Sequence, residues 1–180
     1  ELNGAKKFPG KNKGFEGTLD GDGYTVYGMY FNNGAPDENA NWGLDGAGLI
    51  PRVNVGQTAN IVRLGVDYAY VSVKDGYGAS AFVGTAGVTW NTSSDTLATV
   101  NIDQCYAGAN VLLTACTVGA FRGSDKYSAL NISNSYTLAK IVCIGANRQY
   151  GFYGGRWNST FSITNSFNGY DGDEVSGIIS

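Results

Sequence analysis

The stretch Asn101-Ile102-Asp103-Gln104-Cys105-Tyr106 decides the fold, because it recurs. The same frame returns as Asn131-Ile132-Ser133-Asn134-Ser135-Tyr136 and as Ser162-Ile163-Thr164-Asn165-Ser166-Phe167. An earlier version reads Asn60-Ile61-Val62-Arg63-Leu64-Gly65. Isoleucine therefore stands at 61, 102, 132 and 163, in steps of 41, 30 and 31 residues. Two places before each isoleucine is Ala59, Val100, Leu130 or Phe161. Alternation of this kind marks strands with one buried face.

A second column lies between copies of the first. It comprises Gly48-Leu49-Ile50, Ala81-Phe82-Val83-Gly84, Ala120-Phe121-Arg122-Gly123 and Phe152-Tyr153-Gly154-Gly155. Each copy is thus a unit of two or more short strands, and one unit cannot cover its own apolar face, so units must stack. Gly, Asn, Ser, Thr, Tyr and Val disfavour helix interiors, and no stretch keeps a 3.6-residue apolar rhythm. Strands stacked about 4.8 Å apart place like residues above like. That arrangement suits Ile on Ile and Tyr106 on Tyr136 on Phe167, and it lets Asn134 and Asn165, with Gln104 nearby, join in an amide ladder. The expected fold is all-β, a right-handed parallel β-helix (β-solenoid) of about four to five coils. A meandering β-sandwich or a propeller fragment is the alternative. Residues 1–46 are expected to form an N-terminal cap and first coil, and 47–180 the repeat coils. Ile178-Ile179 reads as the start of a further copy cut short.

Composition agrees with a folded, turn-rich chain. Among 180 residues there are 27 glycines and 3 prolines, apolar residues make up 43% and charged residues only 15%. Disorder needs the opposite balance. The 12 basic and 15 acidic residues give a net charge of −3 without a basic stripe, so no nucleic-acid partner is expected. The lysines between Lys6 and Lys13 read as a solvated terminus. No run approaches the ~20 apolar residues of a spanning helix, so membrane insertion is not expected. The chain opens on Glu1 without a leader segment, which is expected of a mature or excised piece of a longer chain. Cys105, Cys116 and Cys143 have no zinc or CxxC spacing; buried thiols are expected, with one disulfide left open.

Phe15-Glu16-Gly17-Thr18-Leu19-Asp20-Gly21-Asp22-Gly23-Tyr24-Thr25-Val26 resembles the opening motif of GLUG-type repeat regions, Phe-x-Gly-x-Leu-Asp-Gly-x-Gly-His/Tyr-x-Ile/Val. Gln104-Cys105-Tyr106, Asn134-Ser135-Tyr136 and Asn165-Ser166-Phe167 resemble that family's later units, and the likeness covers most of residues 14–180. The Gly-Leu-Val-Gly unit is altered in every copy, and residues 85–99 hold an insertion. The resemblance implies a β-helical part of a large exported bacterial protein, placed extracellularly or at the cell surface, and supplies no catalytic residues.

Chemistry is sparse. There is no histidine, which removes Ser-His-Asp and Cys-His systems and the commonest metal ligand. A carboxylate pair would need acids at one repeat position, yet Asp103 faces Val62, Ser133 and Thr164, Asp67 falls where later copies carry Gly108 and Leu138, and Asp125 has no acidic counterpart. No catalytic residue, cofactor or resident metal is therefore expected. Asp20-Gly21-Asp22-Gly23 reads as a turn, since the twelfth place of a calcium loop begun at Asp20 is Phe31. Weak calcium binding near Asp171, Asp173 and Glu174 stays open. The sequons at Asn91, Asn131 and Asn158 are uninformative in a chain so rich in Asn, Ser and Thr.

Aromatic residues are the candidate contacts. Trp90 lies in the insertion, and Tyr150, Tyr153, Arg156 and Trp157 crowd one short stretch with Arg148. Flat rings beside guanidinium groups stack on sugars or anchor a protein, or else fill the core and cap the coils. The expected function is an extracellular structural or adhesive module that presents or spaces binding surfaces, with a surface glycan or protein as partner and self-association open through the solenoid ends. The alternatives are a carbohydrate-binding module of a secreted bacterial enzyme and, third, a polysaccharide lyase or hydrolase.

Overall fold

Short strands separated by tight left-handed corners build the molecule, as residues rich in β-branched and turn-forming types require. The computed structural model describes residues 14–33, 46–73, 78–87, 96–143, 151–155 and 157–169, together with the backbone of 177–179. Among these residues there are strands and no helix.

The chain repeats one circuit. The first pass holds β1 (Gly17–Asp20), β2 (Thr25–Tyr27), β3 (Tyr30–Asn33) and β4 (Ile50–Val53). The second holds β5 (Thr58–Val62), β6 (Gly65–Asp67), β7 (Ala69–Val73) and β8 (Val83–Ala86). The third holds β9 (Ala98–Asp103), β10 (Tyr106–Ala107), β11 (Val111–Ala115) and β12 (Arg122–Asp125). The fourth holds β13 (Ser128–Ser133), β14 (Tyr136–Thr137) and β15 (Lys140–Cys143), and the last β16 (Thr160–Thr164), β17 (Ser166–Asn168) and β18 (Gly177–Ile179). Each pass gives successive strands to successive sheets, except that β18 of the last pass joins β17 in the second. The first sheet runs β1-β5-β9-β13-β16, the second β2-β6-β10-β14-β17-β18, the third β3-β7-β11-β15 and the fourth β4-β8-β12. Every pairing between passes is parallel. The fourth sheet is continued by a bridge from Arg122 to Tyr153.

Register follows the repeat. Leu19, Ile61, Ile102, Ile132 and Ile163 form one column of the first sheet. Ile61, Ile102 and Ile132 are buried, each contributing roughly 1.5–3 kcal/mol of burial. In the second column Phe82 packs on Phe121 at 5.0 Å and Phe121 on Phe152 at 5.7 Å between ring centroids. Glycine is required beside these rings, because a Cβ on Gly84 would stand 2.5 Å from the backbone of Gly46.

The corner between the first and second sheets is equally regular. Arg63, Gln104, Asn134 and Asn165 occupy it with φ of 53°, 53°, 49° and 47°. The next residue of each pass points inward. Ser135 Oγ accepts the Cys105 N–H and donates to the Ser133 carbonyl, and Ser166 Oγ does the same for Ser135 and Thr164. Cys105 takes the serine's place one pass earlier and donates its thiol to the Asp103 carbonyl. Burial pushes the Cys105 thiol up to about 11. None of the three cysteines is in a disulfide.

One expectation is met and extended, and one needs revision. At the corner Asn165 Nδ2 donates to Asn134 Oδ1 at 3.4 Å, while Gln104 donates to Asp103. A closer amide ladder lies on the outer face of the first sheet, where Asn131 Nδ2 donates to Asn101 Oδ1 and Asn101 Nδ2 to Asn60 Oδ1, both at 2.8 Å. The strand containing Ile178 and Ile179 pairs antiparallel with β17, so it folds back on the last pass rather than opening a parallel copy.

Candidate binding surface

In a strand of period two, the residue beside a buried one faces outward, and on the second sheet those outward places hold aromatic rings. Tyr106 lies in register with Tyr136, and Tyr136 with Phe167. The tyrosine rings are parallel within 5° with centroids 5.1 Å apart. Nearer the first pass, Tyr24, Tyr27, Tyr30 and Tyr68 are 75%, 64%, 66% and 63% exposed. Tyr30 stacks on Tyr70 at 5.5 Å, and Tyr27 tilts against Tyr68 at 6.2 Å. Soluble proteins scatter exposed apolar residues singly; rings gathered in rows on neighbouring strands form a patch.

Beside Tyr106 this surface dips into an open cleft of about 220 Å³, lined by Asp22, Gly23, Arg63, Leu64, Gly65, Gln104 and Tyr106. Gly65 lies in register with Tyr106 one pass away. A Cβ on Gly65 would fall 2.4 Å from Cε1 and Cζ of Tyr106, so the ring lies across the glycine. Its hydroxyl shares a 2.6 Å hydrogen bond with Thr25 Oγ1. The Asp20–Gly23 turn forms one rim: Asp20 Oδ1 accepts the Asp22 N–H at 2.9 Å, and Asp22 and Gly23 both have positive φ. Arg63 crosses to that turn, donating from Nε to Asp20 Oδ1 at 3.1 Å and pairing through Nη1 with Asp22 at 3.2 Å. The hydrogen bond from Arg63 holds the Asp20 carboxyl below its usual range. At the equivalent corner two passes on, hydrogen bonds from Ser133 and Asn134 lower Asp103 likewise. Both carboxylates keep their charge at neutral pH and accept rather than donate.

Asp125 is different: burial raises it, a shift often found in catalytic acids. It is enclosed, however, and its Oδ2 lies 2.6 Å from Nη2 of the equally buried Arg122, with Ser128 Oγ donating to it at 3.3 Å. This pair belongs to the core rather than to the surface.

The contacts expected around residues 90–157 are placed otherwise. Trp90, Tyr150 and Arg156 lie outside the described residues, as do Arg148, Asp171, Asp173 and Glu174. Tyr153 is buried, with its ring 5.1 Å from that of Phe161 and the Arg122 guanidinium 5.9 Å from its centre, so it fills the core. Trp157 is half-buried, and a Cβ on Gly155 would stand 2.3 Å from its ring. The described residues 151–155 and Trp157 therefore supply packing, and the most exposed described rings, Tyr24, Tyr27, Tyr30 and Tyr68, lie on or beside strands of the second and third sheets, with Phe161 exposed on the first. A signal for them stood in the repeat: Gly65 occupies the place of Tyr106 and Tyr136, leaving room for a ring from the adjacent pass. Set against family models, curated proteins and solved structures, the chain matches none.

Proposed function

We propose that the chain is a right-handed parallel β-solenoid of four to five coils that serves as a structural and adhesive module outside a bacterial cell. The likeness of residues 15–26 to the GLUG opening motif supports that setting. The observation that carries the adhesive reading is the set of tyrosines exposed in rows on the second and third sheets. Stacked passes make a stiff spacer, because each strand is bonded to the pass above and below, and the same stacking repeats the outward rings at coil intervals. Among the described residues β1 pairs only with β5 and β16 only with β13. An edge strand can take a further strand on its outer side, and end-to-end association of a second copy would use those sides.

Retention of protein-coated beads under flow tests the adhesive role. Beads carrying this chain are expected to stay on surfaces coated with extracellular protein or glycan longer than beads carrying an inert globular protein. A Tyr24→Ser, Tyr27→Ser, Tyr68→Ser variant is expected to lose most of that advantage. Equal retention of the wild type and the inert control on every coating would refute the role. The cleft beside Tyr106 favours a second reading, a carbohydrate-binding module of a secreted enzyme.

A further inference from the structure

We infer that the cleft beside Tyr106 is a subsite for one hexopyranose unit of an uncharged polysaccharide, an inference that rests on the carbohydrate-binding reading. The ring is prepared in advance. Gly65 leaves the space in which it lies, the Thr25 hydroxyl holds its far end at 2.6 Å, and the parallel ring of Tyr136 backs it at 5.1 Å. With Gly65 on one side and Tyr136 stacked on the other, the part of the ring left open to the cleft is fixed before binding and meets a sugar without losing rotamer freedom on association.

The rim selects for neutral hydroxyls. Arg63 is met by the carboxylates of both Asp20 and Asp22, so its charge is more than balanced and an anionic ligand gains no net attraction. Sugar hydroxyls both donate and accept. They can take N–H groups from Arg63, use both ends of the Gln104 amide and donate to Asp22, three groups that line the same cleft. A volume of about 220 Å³ admits a single sugar ring, not an oligosaccharide. Beyond it the column continues to Tyr136 and Phe167, which lie in register. A glycan running along the stack would therefore meet a new ring at each pass.

Affinity electrophoresis tests this, with the full chain run through gels containing mixed-linkage β-glucan, xyloglucan, glucomannan or starch, and polygalacturonate as an anionic comparison. Retardation by at least one neutral polysaccharide is expected. Tyr106→Ala should weaken it about tenfold, a typical consequence of truncating a central aromatic contact. Arg63→Asn and Gln104→Asn, which suit the left-handed corner, should each weaken it several-fold, whereas Ser162→Ala on the first sheet should not. Thermal unfolding of each variant separates lost binding from lost folding, and the two corner variants decide the matter if Tyr106→Ala does not fold. Retardation by a neutral glycan that folded cleft variants leave unchanged would overturn the subsite while sparing the carbohydrate-binding reading. No retardation by any of these polysaccharides would overturn both, whereas retardation by polygalacturonate alone would overturn the neutral-sugar subsite and leave the carbohydrate-binding reading standing.

Discussion

Arg122 shares its column with Ile50 and Val83 on one side and Tyr153 on the other, and its guanidinium is wholly enclosed. Burial works against the charge, and the Asp125 carboxylate and the Tyr153 ring work for it. Nη1 also donates to Ser128 Oγ at 2.9 Å. Breaking such a pair costs far more than replacing it. Arg122→Met alone should destabilise the chain by about 3–5 kcal/mol, because Asp125 is left charged and unpaired. Adding Asp125→Ala should restore most of that loss. Urea unfolding of the wild type, both single variants and the double variant checks this. A double variant less stable than Arg122→Met would show that the pair is not the reason. The sequence shows Arg122 inside an apolar block, but its partner three residues on lies outside the repeat pattern.

At the level of strands and corners, the columns found by repeat matching are the columns of the sheets. Ile102, Ile132 and Ile163 could be read because a period of two, repeated at about thirty residues, leaves one register that turns all three to the same inner face, with Ile163 in the last pass only partly buried. The outward face could not be read in the same way. Tyr106 on Tyr136 looks like core packing until the left-handed corner, which reverses the sense of alternation, is known. Fold was thus far more legible than the candidate site. Gly84 illustrates what local pattern omits: its need for no side chain comes from the backbone of Gly46, 38 positions away. Gly84→Ala should therefore cost about 1–3 kcal/mol, since backbone has no rotamer to yield, and a thermal melt unchanged within error would contradict the close approach. The corner also sets the response to acid. Asp20 and Asp103 are lowered by hydrogen bonds from Arg63 and from Ser133 and Asn134, so their stabilisation is complete above the unfolded value of about 3.9 and is lost as pH falls through the folded values. Melting temperature should drop below about pH 4, and Asp103→Asn should flatten that drop. A variant with the wild-type slope would exclude Asp103 from it.

Across the whole molecule, stability and the proposed binding role rest on one geometric fact, the stacking of passes in register. The isoleucine column, the asparagine ladder, the serine corner and the tyrosine rows all repeat at the spacing of parallel strands. Spin labels on the outer face of the first sheet measure that spacing directly. Thr18 and Ser162 occupy the same position in the first and last passes, joined through Asn60, Asn101 and Asn131, and both are exposed. With Cys105, Cys116 and Cys143 replaced by serine, labels at Thr18→Cys and Ser162→Cys should report backbones four strand spacings apart, about 19 Å, in a single narrow distribution. A separation of roughly twice that four-spacing length, or a broad spread, would show that the passes do not stack.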